Sequence, residues 1–195
     1  MKSCFLMASV TAAMLLAGCG KSDPPASDTG AASVADAISS ESAMNAGTTI
    51  AANVAASPLH RTLPGALQTA GLAATLSGTG PFTLFAPTDA GFTQVPPVTR
   101  DGWMRPAQKA VLAGVLNYHI VPGKLTAADL AAKIAEGGGK AVLATAGGQE
   151  LTATKSGNAI LLTSSSGNKA AVTGADLAQS NGIVHVIDAV LIPAM

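Results

Sequence analysis

The tripeptide Ser-Gly-Asn occurs twice near the end of the chain, as Ser156-Gly157-Asn158 and Ser166-Gly167-Asn168, each time between short runs of β-favouring residues. Those runs cover 151–155, 159–163 and 170–173. Glycine and small polar residues placed between such runs make tight turns, so this third of the chain is predicted to fold as an antiparallel meander. After Gly182, residues 183–191 place Ile183, His185 and Ile187 on one face and Val184 and Val186 on the other. A strand apolar on both faces belongs in the middle of a domain.

The preceding part has a different period. Over 49–77, Ile50 and Val54, then Leu63 and Leu67, recur at the three-to-four spacing that gives a helix one buried stripe. Pro58 and Pro64 divide the run into short helices. Thr62 is expected to cap the second of them, with Gly71 and Gly78 as C-terminal stops. Residues 82–86 read as a strand behind a Gly80-Pro81 turn, and Thr88 and Asp89 as capping residues of the helix that follows. Residues 96–105 read as irregular, with Trp103, the one tryptophan, covering an edge of the core. Pro106 opens a helix whose apolar face is Val111, Leu112, Val115 and Leu116. Asn117-Tyr118-His119 marks its exit to a strand at Ile120 and Val121, and Pro122-Gly123 turns the chain.

The amino terminus obeys other rules. Lys2 precedes an uncharged, largely apolar run over 4–16, which is the layout of a secretory signal segment. The run is shorter than the roughly 20 residues a membrane-spanning helix needs. It ends Leu16-Ala17-Gly18-Cys19, which resembles the lipobox of bacterial lipoproteins, whose cysteine becomes the first mature residue and carries a diacylglyceryl group. Lipidation at Cys19 and removal of 1–18 are therefore expected. Residues 20–47 are dominated by Ser, Ala, Asp, Gly, Thr and Pro with no aromatic residue, so 19–47 is expected to be a lipid-anchored disordered stalk and 48–195 the folded domain. With Cys4 in the removed segment and Cys19 acylated, no disulfide is expected. Gly20 is not the Asp that marks inner-membrane retention in many two-membrane bacteria, so the outer membrane is the expected location, on its periplasmic face or at the cell surface.

Charge excludes one class of partner. Eleven basic and eleven acidic residues cancel, charged residues make up 11% of the chain, and there is no electrostatic footprint of a nucleic-acid binder. Without Lys2 the mature chain is near minus one, with an acidic stalk and a slightly basic domain.

Three segments together resemble the fasciclin (FAS1, beta-Ig-H3) family. They are GPFTLFAPTDAGF at 80–92, VLNYHIVPGKL at 115–125 and NGIVHVIDAVLIP at 181–193, matching the family's first box, its Tyr-His motif and its second box in the family's order. The resemblance implies an α+β domain of FAS1 fold, a β-wedge of about seven short strands with several helices packed at one side, the two boxes forming neighbouring central strands. It also implies an extracytoplasmic setting. A single domain stands here instead of a tandem array, and there is no Arg-Gly-Asp tripeptide to carry integrin-type adhesion.

Tyr118 and His119 match the motif treated in the family as a partner contact, and an aromatic ring beside an imidazole can present an amphipathic patch. Their competing role is structural, as buried polar atoms bonded to backbone where a helix hands over to a strand. Thr88, Asp89, Asn181, Gly182, His185 and Asp188 fall in the boxes as structural residues. His60, His119 and His185 are isolated from one another and lack the close second ligand of a metal motif, so no metal site is expected. No serine lies in a nucleophile elbow. Gly137-Gly138-Gly139-Lys140 resembles a phosphate loop only superficially, because Ala141 follows the lysine. The expectation is a binding module without catalytic groups or cofactor, displayed from a membrane for adhesion or surface contact with a protein or glycan. The alternative is a carrier or sensor for a small apolar molecule such as a carotenoid or lipid.

Overall fold

The computed structural model describes residues 44–157 and 159–194. The expected signal segment, Cys19 and the stalk up to residue 43 lie outside them. The first described residues are tied to the rest: Asn45 N–H donates to Asn53 Oδ1 (3.0 Å), Asn53 Nδ2 donates back to Asn45 O (2.7 Å), and Ser180 N–H donates to Thr48 O (3.0 Å).

Helix α1 (Ile50–Ala56) starts at Thr49, whose hydroxyl accepts from Ala52 N–H. Helix α2 (Thr62–Ala70) stops where Gly71 takes a left-handed φ of 79°, a conformation that costs glycine little. A single turn, α3 (Ala73–Leu76), leads to β1 (Phe82–Pro87). Thr88 caps α4 (Asp89–Gln94) by accepting from Gly91 N–H. Helix α5 (Pro97–Trp103), a 3₁₀ turn (Pro106–Gln108), α6 (Lys109–Tyr118), β2 (Ile120–Pro122) and α7 (Ala127–Glu136) follow. The remainder is β3 (Lys140–Ala144), β4 (Glu150–Ser156), β5 (Ala159–Thr163), β6 (Lys169–Gln179) and β7 (Gly182–Ile187).

The strands form one sheet in the order β2-β1-β7-β6-β5-β4-β3. The predicted meander corresponds to β4, β5 and β6, which pair antiparallel in sequence order, and β3 and β7 extend it antiparallel on either side. The two boxes supply β1 and β7, which lie side by side and parallel, with Leu84 opposite Val184 and Phe85 opposite His185. The far edges approach each other where Ala146 N–H donates to Ile120 O (2.7 Å), which gives the sheet its wedge form. Alternation along β1 and β7 then feeds two cores. Leu84, Ala86 and Val184 point into a helical core with Ile50, Leu63, Trp103, Leu112 and Leu116. Phe85 and Ile187 point the other way, into a core with Val121, Leu143, Leu151 and Leu162 that α7 closes with Leu130 and Ile134.

Four local expectations are corrected. Residues 97–103 are helical, not irregular: Pro97 sits at the first helical position, where its fixed φ is favourable, and burial of Trp103 in the first core holds a segment too short to show a period. Thr62 is the first residue of α2 instead of its cap; the Arg61 and Thr62 amides are taken by the carboxylate of Asp89 (3.0 and 2.9 Å). Asp89 therefore caps a helix 27 positions earlier in the chain, and Thr88 alone caps α4 with its side chain. The two Ser-Gly-Asn turns also differ. The first joins β4 to β5 directly, whereas the second is a longer loop in which Ser164 N–H donates to Asn168 O (2.8 Å) and Ser164 Oγ accepts from Asn168 N–H (3.0 Å).

Candidate functional site

Tyr118 ends α6 and His119 is its C-cap, so the Tyr-His pair sits where the first core meets the second. Both are 1% exposed. The Tyr118 hydroxyl donates to Glu150 O (2.7 Å) and accepts from Ser165 N–H (3.0 Å). His119 Nδ1 bonds Val115 O (2.7 Å) and its Nε2 accepts from Leu191 N–H (3.0 Å), which fixes the neutral tautomer with the proton on Nδ1. Direct contact of a partner with the polar groups of this pair is thus corrected: both side chains are all but buried and every polar atom is bonded to main chain, although the Tyr118 ring lines the groove described next. The structural role is the one the geometry fits.

What the pair holds in place is a groove. Ala110, Val111, Gly114, Val115 and Tyr118 of α6 form its floor, the turn at Gly147 and Gln149 one wall, and the terminal Pro193 and Ala194 the other, around about 230 Å³. Tyr118 fixes the first wall through Glu150, and His119 fixes the second through Leu191. A ring of side chains closes the rim: Gln149 Nε2 donates to Ala194 O (3.0 Å), Ser165 Oγ to Gln149 Oε1 (3.0 Å), and Ala194 N–H to Ser165 Oγ (2.9 Å). Ser166 Oγ adds a bond to Ile192 O (2.6 Å). No local pattern announces Gln149, Ser165 or Ser166, because their partners lie 16 to 45 positions away.

The remaining box residues join elements. Asn181 Oδ1 accepts from Ile50 N–H (2.9 Å), and its Nδ2 donates to Leu76 O (2.7 Å) and Gly78 O (2.8 Å), so one buried amide satisfies the start of α1 and the end of α3. Gly182 faces the Phe82 carbonyl, 1.9 Å from where a Cβ would stand. Asp188 Oδ1 accepts from Ala171 N–H (2.7 Å) at the end of the β6–β7 ladder. His185 is fully buried, stacked on Phe85 with 5.5 Å between ring centroids; its Nε2 bonds Leu125 O (2.8 Å) and its Nδ1 accepts from Asp176 N–H (3.3 Å). Asp176, at a left-handed φ of 60°, in turn accepts from Ala127 N–H (2.7 Å) at the start of α7.

Burial sets the protonation of these groups. Desolvation lowers His119 to about 4, against the Val115 carbonyl, which works the other way. Burial lowers His185 as well, opposed by the Leu125 carbonyl and Asp176, and lowers His60, opposed by the Ala86 carbonyl and Asp89. Burial disfavours the charge on Asp89, but the Thr62 and Arg61 amides, the Thr62 hydroxyl and His60 outweigh it and hold the carboxyl below its usual value. A histidine lowered in the folded state binds fewer protons there than in the unfolded chain, so stability is full above the ordinary value of 6.5 and falls as pH drops toward 4. His119 alone is expected to account for a loss of about 3 kcal/mol across that window. Urea denaturation at pH 7.5 and 4 measures it, and His119→Asn is expected to flatten the profile. An unchanged midpoint in the parent protein would contradict the buried neutral ring.

The Fasciclin domain family model matches residues 58–193. Protein sll1483 of Synechocystis sp. is 38% identical over 160 residues, which cover 82% of this chain and 81% of that protein. Transforming growth factor-beta-induced protein ig-h3 of Sus scrofa is 32% identical over 131 residues, covering 67% of this chain but 17% of that longer protein. Among solved structures, a FAS1 domain pair from the insect cell adhesion molecule Fasciclin I aligns with a TM-score of 0.65 at 21% identity, over 74% of this chain and 51% of that one, and this likeness bears on the fold alone.

Proposed function

The chain belongs to the fasciclin domain family, and we propose that it acts as an extracytoplasmic binding module, anchored to the outer membrane through an acylated Cys19, that makes adhesive contact with a protein or glycan on its periplasmic face or at the cell surface. The observation that carries this reading is the use of the Tyr-His pair: its polar atoms are spent on holding two walls apart, which leaves a preformed groove as the feature available to a partner. His119 has a proton on one nitrogen and an amide on the other, so it has no free lone pair with which to act as a base. That arrangement supports binding over acid–base chemistry.

At this groove, size favours a macromolecular partner over an apolar cargo. Sites for small molecules usually enclose about 300–1,000 Å³. The groove, at about 230 Å³, is better matched to one or two side chains of a partner than to a carotenoid.

Gly114 gives the decisive variant. It lies on the exposed face of α6, and a Cβ there would meet nothing within 4 Å. Gly114→Leu therefore fills the groove while improving helix propensity, with stability expected to stay level or rise by up to about 1 kcal/mol. Cells carrying it are expected to attach and aggregate as poorly as a deletion strain. Attachment that is the same in parent, variant and deletion strain would overturn the adhesive reading; loss in the deletion strain with full function in the variant would move the contact to another face.

A further inference from the structure

Among the described residues three large apolar side chains stand well exposed, and two of them, Val98 (87%) and Met104 (44%), lie in one segment that contains α5. Pro96 and Pro97 beside Val98 are exposed too. Within 96–109 the charged side chains are Arg100, Asp101, Arg105 and Lys109, three cations against one anion. Arg100 and Asp101 form a loose pair at 3.7 Å, while Arg105 and Lys109 have no carboxylate partner among the described residues. Most of the domain's aspartates are occupied: Asp89, Asp129, Asp176 and Asp188 each accept from main-chain amides. The segment is held from beneath by Trp103 in the first core, and the half-exposed Met104 runs along the surface with its terminal methyl 4.0 Å from where a Cβ on Gly65 of α2 would stand. It is thus a firmly backed ridge with apolar tips and unneutralised cations.

We propose that this ridge, residues 96–109, docks on an anionic phospholipid bilayer and fixes which face of the tethered domain turns toward the membrane. Apolar side chains flanked by cations suit the boundary where acyl chains meet acidic headgroups, and a zwitterionic surface lacks the complementary charge. The proposal rests on the membrane tether of the preceding reading. From Cys19 to Met44 the chain can extend at most about 80–90 Å, against a radius of gyration of about 15 Å for a domain of this size. Any face can therefore reach the bilayer, and the tether alone selects none. The acidic residues Asp23, Asp28, Asp36 and Glu41 of that stretch oppose attraction to the same surface, so the selection falls to the ridge.

The test separates the ridge from the acyl anchor by using the chain from Gly20 onward, which keeps the whole described domain and lacks the modified sulfur. Its sedimentation with vesicles of equal phosphatidylglycerol and phosphatidylcholine is compared with phosphatidylcholine alone. Binding is expected to need phosphatidylglycerol and to weaken with added salt. Arg105→Gln is expected to lower it about 5-fold and Arg105→Gln with Lys109→Gln about 25-fold, and Val98→Asp to lower it at least as far as the double variant. Lys155→Gln, an exposed cation on β4, is expected to change it less than 2-fold. Trp103 emission, which reports the first core, confirms that each variant is folded. Equal binding to both vesicle types, no binding to either, or an equal loss in Lys155→Gln would overturn the proposal, and the second result would leave the ridge for a protein partner. None of these outcomes depends on acylation or on adhesion by cells, so the anchoring and the groove stand or fall separately.

Discussion

Gly182→Ala is expected to lower the melting temperature of the domain by about 8–16 °C or more, the shift that corresponds to a loss exceeding about 4 kcal/mol in a protein of this length. The added Cβ would stand 1.9 Å from the Phe82 carbonyl oxygen and 2.8 Å from its carbon, with the Ile50 side chain at 3.0 Å. The two nearest atoms are backbone of the parallel neighbour β1 and cannot swing aside; only the third, Ile50 Cδ1, ends a side chain. Relief requires β1 and β7 to separate at the point where Phe82 pairs with Gly182, and those strands divide the two cores. Gly114→Ala supplies the contrast, since its Cβ enters open space on a helix and is expected to be neutral or mildly stabilising. Thermal unfolding followed by circular dichroism compares the two; a Gly182→Ala domain melting within 3 °C of the parent would show that the strands are not held as described.

Asn181→Asp is expected to cost about 3–5 kcal/mol although it changes a single atom type. The amide nitrogen donates to two buried carbonyls, Leu76 O and Gly78 O, while the amide oxygen accepts from Ile50 N–H. An aspartate keeps only the acceptor. An ionised carboxylate would put negative charge about 3 Å from two carbonyl oxygens with no donor to offset it, and a protonated one can satisfy only one of the two. The loss should therefore shrink as pH falls and the carboxyl takes up a proton, opposite in sense to the effect of the buried histidines. Urea midpoints for parent and variant at pH 7.5 and 5 test both the size and the direction. A penalty that is small, or that grows on acidification relative to the parent, would contradict the bonding of Asn181.

Local sequence carried a good deal of the architecture. Alternation along β7, the helical stripe of Ile50, Val54, Leu63 and Leu67, and the spacing of the last strands are effects of residues a few positions apart, and such periodicities survive in any tertiary context. The three family segments likewise lie within β1, the α6–β2 junction and β7, so their presence announced the fold before any contact was known.

Roles that depend on a distant partner were not legible. Asp89 stands where a helix cap belongs, and its type suits a cap, yet it serves α2 because folding brings the Arg61 and Thr62 amides to it. Tyr118 and His119 carry the same side chains whether they face solvent or main chain; burial at the meeting of two cores made them internal and turned His119 into a neutral strut. The groove itself belongs to no segment, since its floor, its two walls and its rim come from α6, the β3–β4 turn, the loop before β6 and the last residues. Periodicity and turn chemistry act through neighbours along the chain and so could be read from it, whereas satisfying buried polar groups and enclosing a cavity are settled by which distant atoms the packing brings within 3 Å.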